Sequence, residues 1–150
     1  MPNRRAEIAL TPDEQAAFLA EARTAIFVTV GSDGVPDPTA MWFVMDGDTM
    51  VMRTYAKSQK VRNLERDPRV AILIEDGETY ATLRGLRLTG RVELSHDVDE
   101  VLDVVAGLAR KYEGVEQIDR EALAGYASKQ VAMRIVVERR ASWDHGKLTS

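Results

Sequence analysis

The sequence predicts a mainly β, α+β domain, a small antiparallel barrel of six strands with peripheral helices. Three observations point that way. The turn signals Asp33-Gly34, Asp46-Gly47 and Asp76-Gly77 separate β-rich runs and suit antiparallel hairpins. Gly85 and Gly90 interrupt one long alternating run, as bulges or bends that curl a sheet would. The order is helix, three strands, short helix, two strands, helices, strand, which favours a barrel over a βαβ sheet.

The elements follow from local chemistry. Thr11-Pro12-Asp13-Glu14 is a helix start: Thr11 can cap, Pro12 suits the first turn, and Glu14 can reach back to close a capping box. The helix runs to about Ala22, and Thr24 to Val30 is β-rich. Pro36 to Met45 resumes as a strand with Ala40, Trp42 and Val44 on one face and Met41, Phe43 and Met45 on the other, which suggests burial on both sides. A third strand spans Thr49 to Thr54. The next helix starts at Ser58 or Gln59, is capped by Ser58, turns Val61 and Leu64 inward, and ends before Asp67-Pro68. Arg69 to Glu75 is a strand, and Tyr80 to Leu94 reads as one long strand with Leu86, Leu88, Val92 and Leu94 on one face. Val98, Val101, Leu102, Val105, Leu108, Ala109 and Tyr112 share a helical face that Gly114 terminates. A weaker helix lies near Asp119 to Tyr126, Val131 to Val137 alternates as the last strand, and a polar tail closes the chain.

The 150 residues, 45% hydrophobic and 29% charged, suit one domain spanning 1–150, with no repeat or linker. No window carries the roughly 18 apolar residues of a membrane span. The N-terminus lacks a secretory apolar run, so a cytoplasmic location is expected. The absence of cysteine excludes disulfides, thiolate metal sites and thiol catalysis. A net charge of −4 argues against broad nucleic-acid binding.

Against that acidic background, residues 52–62 carry four positive charges and no negative one at a strand-to-helix junction. A helix start offers unpaired N–H groups and partial positive charge. Arg53, Thr54, Lys57, Ser58 and Lys60 add cations and hydroxyls there, a donor set suited to a phosphate. A solvated helix face would explain the same charges, and composition alone weighs the two evenly. Other chemistry is thin. His96 and His145 have no third ligand near them in sequence, so no metal site is expected, and His145 in the tail suits packing better than catalysis. Ser142 lacks a nucleophile-elbow context, and no dinucleotide or Walker glycine motif is present. Met41, Trp42, Phe43 and Met45 suit either a flat-ring pocket or a core. With no titratable catalytic pair, any redox or transfer chemistry would belong to a cofactor.

The stretch Met50 to Lys60, continuing through Asn63-Leu64-Glu65-Arg66-Asp67-Pro68-Arg69-Val70, resembles the pyridoxamine-phosphate-oxidase-like split-barrel family. The first hairpin, Ala25 to Val30 and Asp33 to Pro36, is similar to that family's as well. The resemblance covers about residues 11–140 and implies a homodimeric six-stranded split barrel that binds F420, or alternatively FMN, at the subunit interface. It implies that Arg53, Thr54, Lys57, Ser58, Gln59 and Lys60 hold the cofactor phosphate and that Thr39, Ala40, Met41 and Trp42 lie along the ring. Thr39 and Val44 stand where the oxidases proper carry Arg and Lys, and Gln59 stands where Arg is usual. Their arginine-bearing C-terminal segment has no counterpart here. Pyridoxamine-phosphate oxidation is therefore not expected. The Trp42-Phe43 strand end and the Trp143-Asp144-His145 tail look more like the actinobacterial deazaflavin-dependent branch. That branch implies an F420-dependent oxidoreductase acting on a small unsaturated or quinone-like substrate, with an FMN flavoprotein or a non-catalytic binding protein as alternatives.

Overall fold

The structure, a computed structural model, describes residues 3–148. Seven strands form one antiparallel sheet: β1 (Ala25–Val30), β2 (Pro36–Met41), β3 (Val44–Asp46), β4 (Thr49–Tyr55), β5 (Arg69–Asp76), β6 (Arg84–Ser95) and β7 (Gln130–Asp144). They lie in the order β2-β1-β5-β6-β7-β4-β3 and curl into a half-barrel. Five α-helices flank it: α1 (Arg4–Glu7), α2 (Pro12–Glu21), α3 (Gln59–Arg66), α4 (Val98–Leu108) and α5 (Arg120–Ala127).

Capping placed several elements where the sequence predicts them. Thr11 Oγ1 accepts from Glu14 N at 3.2 Å while Glu14 Oε1 accepts from Thr11 N at 2.9 Å, closing the capping box of α2. Ser58 caps α3 and Asp97 caps α4. Gly114, at φ 68°, ends the helical segment after α4 in the left-handed region that glycine enters at no steric cost.

The curled face of the sheet encloses one hydrophobic cluster that includes Phe18, Phe27, Phe43, Met50, Met52, Ile72, Leu86 and Met133. Each fully buried side chain of this size is worth about 1.5–3 kcal/mol relative to exposure. A second cluster, with Val101, Leu102 and Leu108 of α4, packs on Val51 and Ala132 across the outer face of β4 and β7.

Four expectations are corrected. The segment Pro36 to Met45 is not one strand: it breaks at Trp42-Phe43 into β2 and β3, which raises the strand count from six to seven. Nor is it buried on both sides, because β2 is an edge strand and Trp42 is 51% exposed. Two-sided burial falls one strand later, on β4, where Met50 and Met52 enter the first cluster and Val51 the second. Tyr80 to Thr82 forms a 3-10 turn, so β6 begins only at Arg84. The polar tail is strand as well, since β7 pairs with β6 as far as Asp144.

The two glycines of β6 do different work. A bulge lies at Thr89/Gly90, where an added Cβ would overlap the Val136 carbonyl. Gly85 instead pairs regularly with Trp143, and its missing side chain is the space the indole ring fills. Beyond Trp143 the chain stays tied down. Asp144 N donates to Ile8 O at 2.7 Å, His145 N donates to Leu83 O at 2.9 Å, and the His145 ring meets Tyr80 with Nδ1 at 2.7 Å from the Tyr80 carbonyl oxygen. Lys147 Nζ donates to Glu14 Oε1 at 2.5 Å, which pulls the Glu14 carboxyl down to about 2. The Trp-Asp-His tail thus clamps the N-terminal segment to β6. A Gly85→Val substitution should displace Trp143 and lower stability by about 1–3 kcal/mol, read as a fall in urea midpoint with a shift in tryptophan emission.

Candidate functional site

The cationic junction is a tight turn between β4 and α3. Ser58 N donates to Tyr55 O at 3.0 Å, and Ala56 N donates to Lys129 O at 2.9 Å, fixing the turn against the start of β7. Ser58 Oγ accepts from Val61 N at 3.4 Å, capping a helix start whose first N–H groups are unpaired within the helix. Lys57 and Gln59 are exposed there, Ser58 and Lys60 half-buried, and Thr54 is buried at the strand end.

Asn63 brings this turn to β2. Its side chain is 0% exposed, and its amide nitrogen donates to Thr29 Oγ1 at 3.0 Å on β1 and to Asp37 Oδ2 at 3.1 Å on β2. Its carbonyl oxygen accepts from Gln59 Nε2 at 2.9 Å and Arg66 Nη2 at 3.3 Å. Every donor and both acceptor positions of the buried amide are used, as a buried polar group requires. Gln59 therefore spends its side-chain nitrogen inside this network. Sequence reasoning passed over Asn63; its signal was a polar residue one turn from Ser58 on the face that carries Val61 and Leu64.

Arg53 lies on the outer face of β4, away from that network. Its Nη1 donates to Gln130 Oε1 at 3.2 Å, and its guanidinium lies 5.3 Å from the Tyr126 ring centroid. Among the described residues no hydrogen bond joins Arg53 to the 57–60 turn. Among the described residues its Nε is buried without a hydrogen-bond partner.

The flat-ring candidates lie on β2 and its end. Thr39, Ala40 and Met41 lie on the outer strand, whose free edge offers backbone groups with no strand partner among the described residues. Thr39 Oγ1 reaches Phe27 O at 3.5 Å, and Met41 packs on the main cluster. Trp42 stacks on Tyr112, with centroids 4.2 Å apart and planes 6° from parallel, while Phe43 is core.

A π-helical turn, Ala109–Glu113, holds the break between β2 and β3. It places two consecutive side chains on Phe43. Lys111 Nζ donates to Phe43 O at 3.1 Å and sits 3.8 Å from the Phe43 ring, and Tyr112 Oη accepts from Phe43 N at 3.2 Å and donates to Arg23 O at 2.7 Å. The Arg23 guanidinium covers the Tyr112 ring at 4.6 Å. Burial, assisted by the Arg23 charge, lowers the Lys111 amine to about 8, and burial raises the Tyr112 phenol. A cleft of about 770 Å³ opens beside this cluster, bordered by Leu19, Val44, Met45, Val104, Lys111 and Arg134. None of residues 53–60 lines it, so the cationic turn lies outside this cleft.

The chain is a half-barrel with a cationic strand-to-helix turn beside an open strand edge. The Pyridoxamine 5'-phosphate oxidase family model matches residues 11–144, and the chain belongs to that family. A Mycobacterium tuberculosis (strain CDC 1551) protein named F420H2-dependent biliverdin reductase is 32% identical over 102 residues, which cover 67% of this chain and 71% of that one. The crystal structure of a conserved hypothetical protein from Mycobacterium tuberculosis superposes with a TM-score of 0.89 at 40% identity, covering 97% of this chain and 93% of the other. A structure named F420 reductase superposes with a TM-score of 0.64 at 26% identity, covering 83% of this chain and 94% of its own. These relatives agree with the resemblance to the actinobacterial branch.

Two outcomes test the geometry. Asn63→Leu leaves Thr29 and Asp37 without their shared donor and should cost about 1–3 kcal/mol per stranded group, measured by chemical denaturation. Lys111 binds its proton more weakly in the fold than in the unfolded chain. The cost of its buried charge is therefore complete below about pH 8 and disappears as pH rises toward the ordinary value of 10.5. Across that window the stability of the native chain should climb with pH more steeply than that of Lys111→Met, compared through urea midpoints.

Proposed function

We propose that the chain is an F420-dependent oxidoreductase that moves a hydride between a deazaflavin ring and a small unsaturated or quinone-like organic molecule. The observation that carries this reading is the cationic β4–α3 turn, held by Asn63 against the β1–β2 hairpin whose outer edge is open. The relatives named F420H2-dependent biliverdin reductase and F420 reductase support the choice of coenzyme.

Each residue has a task. Lys57 and Lys60 supply charge to the anionic tail, and Ser58 orients the helix start so that the N–H groups of Gln59 and Lys60 face it. Thr54 adds a hydroxyl beside them, and Arg53 brings a guanidinium charge with no acidic partner among the described residues. Thr39, Ala40, Met41 and Trp42 border the ring along the free strand edge, mainly through backbone groups. The bound deazaflavin supplies the hydride chemistry; the chain holds, orients and shields it. A second copy of this chain would cover the open β2 edge and the 51% exposed Trp42, completing the ring's enclosure as a homodimer.

Calorimetric titration with F420 and with FMN tests the coenzyme. F420 binding is expected; FMN binding without F420 binding moves the protein to the flavin branch. Lys60→Ala should weaken the coenzyme by about 1–3 kcal/mol, the loss of a charge-assisted bond, and unchanged affinity would remove Lys60 from the site. Oxidation of reduced coenzyme against a panel of enones and quinones tests catalysis. Tight binding with no turnover on any acceptor would mark a binding protein instead.

A further inference from the structure

Gln130 at the start of β7 pairs across from Tyr55, two positions along the ladder from the Arg53–Ala132 pair. It is 1% exposed, a rare place for a long polar side chain, and its amide oxygen accepts from Arg53 Nη1 at 3.2 Å. Among the described residues its Nε2 has no partner, and neither has the Nε of Arg53. A glutamine is a costly choice here if the task is to stabilise the fold, because two buried donors go unused. A glutamate would remove the unused amide donor, bring a second acceptor to the guanidinium and neutralise its charge.

The choice makes sense if the charge of Arg53 must stay unspent. The chain has 24 acidic residues against 20 basic ones, yet among the described residues no carboxylate lies within ion-pair distance of Arg53. Arg69, Arg84, Arg120 and Arg134 each have an acidic partner, while Arg23 and Arg66, like Arg53, bond to neutral groups; Arg53 differs from these in its buried, partnerless Nε. A neutral amide can hold a guanidinium in place without cancelling its field, and the Tyr126 ring face, 5.3 Å away, does the same.

We propose that Gln130 is a positioning residue for anion binding: it fixes the guanidinium of Arg53 at the β4 end while leaving its full charge available to the coenzyme's phosphate. This rests on the phosphate-turn reading of the preceding subsection. It adds a residue distant in sequence from the motif, and it assigns the anion-binding charge to a side chain on the opposite face of β4 from the Asn63 network.

The test sets stability against affinity. Gln130→Glu, nearly identical in shape, supplies the missing acceptor and an internal counter-charge. Its melting temperature should equal or exceed that of the native chain, while affinity for F420 or FMN, whichever the native protein binds by fluorescence titration, should fall at least about tenfold. A merely structural glutamine would not separate the two readouts in opposite directions. Gln130→Glu binding as tightly as the native chain, while Lys60→Ala binds more weakly, would overturn the role of Gln130 and leave the phosphate turn intact. Unchanged affinity in both variants would overturn both readings. If Gln130→Glu does not fold, Gln130→Met decides. It keeps the volume but releases Arg53, so affinity should fall by about threefold to tenfold, and full affinity would refute the proposal.

Discussion

Asn63 is fully buried, and an amide out of contact with water must satisfy its N–H and C=O groups or forfeit about 1–3 kcal/mol for each one left unmade. It does so through Thr29, Asp37, Gln59 and Arg66, and those partners lie on β1, β2 and both ends of α3. The constraint is geometric as much as energetic. With Val61 and Leu64 of the same helix in the core, α3 can neither rotate nor slide along the sheet without breaking several bonds together. The helix start, and with it the cationic turn, is held at the edge of the sheet. The arrangement of the candidate site depends on that one amide.

The other half of the site depends on a break in a strand. Trp42 and Phe43 have the composition of a strand centre, yet the chain departs from strand geometry there. Phe43 is drawn into the core while its backbone N–H and C=O are met by Tyr112 and Lys111. Side chains thus replace the ladder partners that the backbone gives up. Trp42 is left on the surface against Tyr112, a large flat ring at the end of an open edge. The lysine at this break carries a desolvation cost, visible in its lowered affinity for protons, so the geometry is maintained against an electrostatic penalty.

Charge distribution complements the packing. The protein is acidic as a whole, but its exposed ion pairs on the far strands and on α4 have exposed partners and contribute little. Several basic residues have no acidic partner among the described residues, and three of them, Lys57, Lys60 and the glutamine-held Arg53, lie at or next to the turn. On an acidic protein, such a cationic turn is a local departure from the overall charge.

Much of the molecule was legible in the residues themselves. The Thr11 and Ser58 caps, the Asp-Gly hairpins, the inward Val61 and Leu64, and the α4 stripe are local signals, and local sterics and hydrogen bonding decide them. The cationic turn was legible too, because charge and helix-start chemistry are properties of adjacent residues. The seventh strand, the exposure of β2 and the strand character of the tail were not, since each depends on partners far along the chain: Tyr112 and Lys111 for the break, Gly85 for Trp143, the absence of a neighbour for β2. Asn63 and Gln130 looked like ordinary polar residues for the same reason. Sequence by itself determined which segments fold and where a phosphate would be welcome; tertiary structure alone decided which side chains stay buried and unneutralised, because burial and pairing are properties of distant neighbours and not of adjacent residues.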